Sequence, residues 1–133
     1  TNMRICSNVP AQSIVQTALG GHQSVNDYLV PGGRIYEQRE YIYNALNSID
    51  GITAVKPKAA FYIFPKIDAK KFNIRNDEQF ALDLLHDEKL LIVQGTGFNW
   101  KDPDHFRVVY LPRVEVLKGA VDKMTHFFSH YRQ

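Results

Sequence analysis

The sequence predicts a small α/β (α+β) domain, a short-stranded sheet covered by helices, and three observations carry that reading. Residues 34–49, 76–88 and 114–131 place apolar side chains at three- and four-residue steps, the period of a helix with one buried face. Between them lie brief apolar or aromatic runs at 52–55, 59–67, 90–93 and 105–111, which have the length of strands. The resulting order is helix, strand, strand, helix, strand, strand, helix, as expected for helices packed on a small sheet. No repeat or low-complexity segment interrupts it.

Taken in order, residues 1–9 read as irregular or as the tail of an earlier element. Pro10, in a first turn, opens a helix with Ile14, Val15, Ala18 and Leu19 on one side, and Gly20-Gly21 ends it. A short polar helix over 24–29 follows, and Pro31-Gly32-Gly33 breaks the chain. The boundary between 1–30 and 31–133 falls there, because the first part offers too little apolar surface to fold alone. In 34–49, Ile35, Arg39, Ile42, Leu46 and Ile49 share a face, and Asp50-Gly51 stops the helix. Lys56-Pro57-Lys58 turns the strand at 52–55 into the aromatic strand AAFYIFPKI, where Pro65 marks an edge or a strand end. Asn76 is the predicted cap of the next helix, with Gln79 reaching back in a capping box. Phe80, Ala81, Leu84 and Leu85 then face inward. A strand at 90–93 leads to a glycine loop, and Pro112 closes the strand at 105–111. Val114, Leu117, Val121, Met124, Phe128 and Tyr131 form the core stripe of the last helix.

Composition narrows the function. A formal charge of +2, with scattered basic residues, does not suggest a polyanionic partner or nucleic acid. The single Cys6 builds no disulfide framework and fits a reducing compartment. No metal site is expected: His126 and His130 lie four apart on a helix without a third ligand and read as a solvated face. No apolar run reaches membrane-spanning length and no signal-peptide pattern opens the chain, whose first residue, Thr1, fits an excised piece. The sequence has no GxSxG elbow, Walker loop or HExxH helix, and Gly95-Thr96-Gly97 lacks the third glycine of a dinucleotide fingerprint. The stretch from Lys58 to Phe64 is out of step with an RNA-recognition strand. Asp77/Glu78 and Asp87/Glu88 sit at helix ends, where capping and solvation account for them. Lys56, Lys58, Lys66, Lys70 and Lys71 lie in or near turns, and none reads as a desolvated nucleophilic amine.

One strand stands apart. In 105–111, Arg107, Val109 and Leu111 point to one side and Phe106, Val108 and Tyr110 to the other, and neither side reads as solvent. A permanent cation on an apolar face needs an anion. A guanidinium is shaped to hold a carboxylate through two parallel hydrogen bonds. That anion is either an internal acid, with Glu37, Asp68 and Asp83 as candidates, or a bound ligand. The adjoining loop of Gly95, Thr96, Gly97 and Phe98, followed by Asn99 and Trp100, lets backbone approach a ligand closely or simply permits a tight turn.

Several stretches together resemble the C-terminal part of class I pyridoxal-phosphate aminotransferases, and most of all the bacterial alanine aminotransferase-like branch. They are NVPAQ at 8–12 with GGR at 32–34, KAAFYIFP at 58–65, VQGTGF at 93–98 and HFRVVYLP at 105–112. Their order and spacing span nearly the whole chain. The resemblance implies that 31–133 is the small C-terminal domain of a fold-type I transferase and that 1–30 is a linker and helical segment packing on a large domain. It gives Arg107 the substrate's α-carboxylate, and it sets Gly95, Thr96, Gly97 and Phe98 beside the substrate side chain. Residues 8–12 would lie near the cofactor or a dimer interface. The parent would be a cytoplasmic homodimer moving an amino group between an alanine-like amino acid and a 2-oxo acid (2-oxoglutarate or pyruvate). Pyridoxal phosphate would be its electron sink. The catalytic lysine and most cofactor contacts would lie in the large domain, so this chain is expected to be a fragment, inactive and cofactor-free by itself. Two other readings stay open: a self-contained module binding small carboxylates, and a structural domain with Arg107 paired internally.

Overall fold

The computed structural model describes residues 7–133. Helix α1, Val9–Gly20, starts where the Asn8 side chain accepts from the Ala11 amide at 3.4 Å and Pro10 needs no partner for an amide it lacks. None of its side chains is buried. A short 3-10 helix, Ser24–Tyr28, follows. At Gly33 a Cβ would stand 2.7 Å from the Tyr28 carbonyl carbon, so only glycine lets the chain fold back there.

Helix α2, Arg34–Asn47, ends two residues before the predicted stop, and Ile49 enters the core from the turn that follows. Arg39, predicted on the buried face, is half-buried, whereas its neighbour Gln38, as deep as Ile42, is 1% exposed. Its amide donates to the carbonyl oxygens of Leu111 (3.0 Å) and Pro112, and Arg34 reaches the Leu111 oxygen at 2.7 Å. Those carbonyls follow the last strand, and backbone acceptors there must find donors outside the ladder. The polar residue is therefore drawn inside. Gly51, at φ +89°, then turns the chain past the Phe72 ring.

Five strands follow: β1 Ile52–Thr53, β2 Tyr62–Ile63, β3 Lys66–Ile67, β4 Val93–Gln94 and β5 Phe106–Val109. They form a two-stranded sheet, β1–β3, and a three-stranded one, β2–β5–β4, with every pairing antiparallel. The expected fold thus takes its α+β form. The aromatic run, predicted as one strand, is split by Phe64-Pro65 into two strands that join different sheets. Pro65 lacks an amide donor, and its carbonyl accepts from the Phe106 amide at 3.2 Å while Lys66 bridges to His105. The strand at 90–93 shortens to Val93–Gln94 and that at 105–111 to four residues.

Helix α3, Asp77–Glu88, is capped by Asn76, whose side chain accepts from the amides of Glu78 (2.9 Å) and Gln79 (3.2 Å). The returning half of the capping box does not come from Gln79, which donates to Asp83 at 2.6 Å. It comes from Gln133, whose Oε1 accepts from the Asn76 amide at 2.8 Å. Leu85, predicted inward, is exposed, because the buried face runs through Asp77, Phe80, Ala81 and Leu84. Helix α4, Val114–His130, buries Leu117, Val121, Met124 and Phe128 as predicted, together with Phe127. The Phe80 ring lies 5.8 Å from those of Phe106 and Phe128, joining α3, β5 and α4. Each ring so buried contributes about 2–3 kcal/mol. No helix among the described residues is long and apolar enough to cross a membrane.

Candidate substrate-binding site

Arg107 lies on β5, the middle strand of its sheet, opposite Val93 of β4 and two residues from Val109, which faces Tyr62 of β2. The two faces of this strand differ. Phe106, Val108 and Tyr110 are buried in the core, while Val109 is 44% and Leu111 40% exposed. The expectation that neither side meets solvent is corrected: helices cover only one face, and Arg107 stands on the other. On its helix side the sheet borders an apolar cleft of about 350 Å³ that Arg107 also lines, with Val93, Val108, Leu117, Val121 and Met124 among its walls.

The guanidinium is flanked by aromatic rings, with its central carbon 4.2 Å from the Phe98 centroid and 5.2 Å from that of Tyr62. Such contacts favour a cation without neutralising it. Among the described residues no Asp or Glu forms an ion pair with Arg107, and its buried Nε has no hydrogen-bond partner. The three internal acids considered from sequence are engaged elsewhere. Glu37 accepts from the Gly32 amide at 3.1 Å, and Asp68 from the amides of Lys70 (3.1 Å) and Lys71 (3.0 Å). Asp83 accepts from the Tyr131 hydroxyl at 2.6 Å. An internal salt bridge therefore does not account for this arginine.

The glycine loop is one turn of 3-10 helix, Gly95–Phe98. Gly95 is required by close approach: its amide donates to the His105 carbonyl at 2.9 Å, and a Cβ there would meet that oxygen at 2.8 Å. Gly97 has room for a side chain. Thr96 is turned to α3, its amide and hydroxyl donating to the two carboxylate oxygens of Asp77 at 2.8 and 2.7 Å. Asp77 is 2% exposed, which corrects the reading of the Asp77/Glu78 pair as solvated. A helix first turn that already favours negative charge makes its burial tolerable. Asn99, at φ +59°, closes the turn and leaves Phe98 over Arg107.

A second cluster supports the same edge. The His105 ring stacks on Phe64 at 5.0 Å and lies 4.3 Å from Trp100, while Phe64 meets Phe98 edge-on at 6.5 Å. Asp104 accepts from Trp100 Nε1 at 2.9 Å and from His105 Nδ1 at 2.7 Å, and pairs with Lys66 at 3.4 Å. Burial alone would raise the Asp104 carboxyl. The hydrogen bonds from His105 and Trp100, with the charge of His105 and the Lys66 contact, outweigh it and hold the group below the usual carboxylate range. Sequence reasoning missed Tyr62, Asp77 and Asp104. Strand register, which no local pattern displays, brings Tyr62 to the site, and Asp77 and Asp104 resemble ordinary helix-end and turn acids.

Several of the described lysines are engaged at the surface. Lys56 pairs with Glu40, Lys66 with Asp104 and Lys71 with Asp50, while Lys123 donates to the Glu88 carbonyl at 2.7 Å. None of these amines is buried, and none is placed as a desolvated nucleophile. Glu88, read as solvated from sequence, instead joins α3 to α4 by accepting from His126 Nδ1 at 2.6 Å.

The fold, a mixed helix–strand small domain whose sheets are covered by helices, is shared by solved aminotransferase structures. The chain belongs to the family of class I and II aminotransferases, whose model matches residues 1–123. It is 57% identical over 132 residues to a glutamate-pyruvate aminotransferase, AlaA, of Haemophilus influenzae, and 54% identical to the Escherichia coli protein of that name. Each match covers 99% of this chain and 33% of the relative. An aminotransferase structure from Escherichia coli superposes with a TM-score of 0.91 at 54% identity, over 98% of this chain and 32% of that one. An alanine aminotransferase from Pyrococcus furiosus gives 0.82 at 41%, over 96% and 31%. The chain spans about a third of the length of these relatives.

Proposed function

We propose that this chain is the substrate-carboxylate-binding portion of an aminotransferase and is inactive alone. The parent enzyme moves an amino group between an alanine-like amino acid and a 2-oxo acid such as 2-oxoglutarate or pyruvate. The observation that carries this reading is the Arg107 guanidinium, flanked by Phe98 and Tyr62 and neutralised by no acid among the described residues. The substrate's α-carboxylate accepts two parallel hydrogen bonds from it. Phe98 and Tyr62 limit the planes the guanidinium can adopt, so the carboxylate is both held and oriented, and the Cα–H bond is presented in one direction. The flanking rings of Phe98 and Tyr62 lower the local dielectric and strengthen the contact.

We place pyridoxal phosphate and the lysine that carries it in the rest of the parent. Residues 31–133 then act as the small domain, and residues 1–30 as a linker packing on the large one. The exposed Ile14, Val15 and Leu19 of α1 support that role. The parent in this reading is a cytoplasmic homodimer, in keeping with the lone cysteine. Arg107→Lys in the full-length enzyme should raise KM for the amino acid and lower kcat, with kcat/KM falling about a hundredfold, or about 2.7 kcal/mol. Unchanged kinetics would remove Arg107 from the site. The same guanidinium could serve a self-contained carboxylate-binding module. Calorimetry of the isolated chain with alanine and pyruvate separates the two readings, because only the module binds them without the remainder of the enzyme.

A further inference from the structure

We propose that Asp77 is a positioning residue for this carboxylate site. Through Thr96 it fixes the turn that carries Phe98 onto Arg107, and so sets the direction of the guanidinium. The inference rests on the reading of Arg107 as the carboxylate ligand.

The geometry points to Asp77 in three steps. First, its carboxylate is not the cap of α3, since the Asn76 side chain already takes the amides of Glu78 and Gln79. Yet Asp77 is 2% exposed and has no cationic partner among the described residues, a costly arrangement that two charge-assisted hydrogen bonds and the helix terminus offset. Both hydrogen bonds go to one residue, Thr96, nineteen positions along the chain. Second, Thr96 sits inside the Gly95–Phe98 turn, which is fixed at one end by the Gly95 amide on the His105 carbonyl and closed by left-handed Asn99. The Asp77 contact fixes its middle. Third, the Arg107 Nε has no hydrogen-bond partner, so among the described residues the guanidinium is directed by ring faces, the nearer being Phe98 at 4.2 Å. A shift of the turn is therefore a shift of the guanidinium.

The test uses the full-length cofactor-loaded enzyme with four variants: Asp77→Asn, Thr96→Val, Thr96→Ser and Arg107→Lys. Asp77→Asn and Thr96→Val should each raise KM for the amino acid, and the competitive inhibition constant of propionate, about tenfold, with a smaller fall in kcat. Thr96→Ser keeps both donors and should bind propionate about tenfold more tightly than Thr96→Val. A merely structural role would lower thermal stability without this pattern, and its effect would add to that of Arg107→Lys. A positioning role predicts that Asp77→Asn adds nothing to KM once Arg107 is replaced by lysine. Folded Asp77→Asn and Thr96→Val enzymes with unchanged propionate binding overturn the proposal, as does full additivity in the double variant. If Asp77→Asn fails to fold, the Thr96→Val and Thr96→Ser pair decides alone, with and without the Arg107→Lys substitution. An Arg107→Lys enzyme with unaltered KM removes the underlying site and this proposal with it.

Discussion

Ala60 adopts φ +63°, a left-handed conformation that costs an alanine about 1–2 kcal/mol. It is held there because its carbonyl accepts from the buried Tyr110 hydroxyl at 2.8 Å, and the next residue's carbonyl from the Tyr110 amide at 3.0 Å. Both bonds lie just before Tyr62, which flanks Arg107. Ala60→Gly should relieve the strain at a smaller cost in unfolded-chain entropy, stabilising the protein by about 0.5–1 kcal/mol in urea denaturation. A loss of stability would show that the alanine methyl packs usefully. Tyr131 makes a second residue-scale case. Burial first, then the hydrogen bond to Asp83 and its charge, push this phenol well above the usual tyrosine range. A folded pKa raised above the unfolded value of about 10 means that the contribution is complete below that pH and is lost as pH rises. Tyr131→Phe should therefore flatten the fall in stability between about pH 10 and about pH 12. Identical pH profiles would remove Tyr131 as the source. Asp104 has the opposite sign. Its depressed pKa stabilises the fold above about pH 4, and that contribution is lost as acid protonates it.

At the scale of elements, α3 is held at its start by a distant residue as well as by its own cap. At the start, Gln133 accepts from the Arg75 and Asn76 amides at 2.5 and 2.8 Å and donates to the Asn76 carbonyl at 2.7 Å, doing from a distance what Gln79 was expected to do locally. Gln133→Ala should cost about 1 kcal/mol, and Gln79→Ala much less, in paired denaturation curves. Equal costs would restore the local capping box. At the far end, Lys89 occupies the left-handed position at φ +56° that glycine fills best. Lys89→Gly should add about 0.5 kcal/mol of stability in urea denaturation, and a loss would show that the Lys89 bond to the His86 carbonyl outweighs the strain.

At the scale of the whole molecule, burial is uneven. The core gathers α2, α3, α4 and one face of the sheets, while α1 buries no side chain. A twelve-residue helix without tertiary cover is marginal in water. In the isolated chain, hydrogen exchange should show α1 exchanging fast and the amides of α4 slowly, and limited proteolysis should cut first near Gly20-Gly21. A protected α1 would mean that it finds cover within this chain or in a second copy.

Periodicity made the helices legible, because a 3.6-residue apolar repeat survives in sequence whatever the helix packs against: Leu117, Val121, Met124 and Phe128 are where that pattern put them. The cation of the strand was legible for a similar reason, since charge is a local property, whereas the glycine loop was legible only as a ligand approach or a tight turn, and the contact of Gly95 with the His105 carbonyl was not. Tertiary structure alone decided that AAFYIFPKI serves two sheets, that Gln38 goes inside to satisfy the Leu111 and Pro112 carbonyls, and that Asp77 reaches Thr96. It also decided which face of β5 is open, and hence that Arg107 meets Phe98 and Tyr62 instead of an internal acid. Pairing register and the covering of a sheet face depend on residues far apart in the chain, and no local pattern records them.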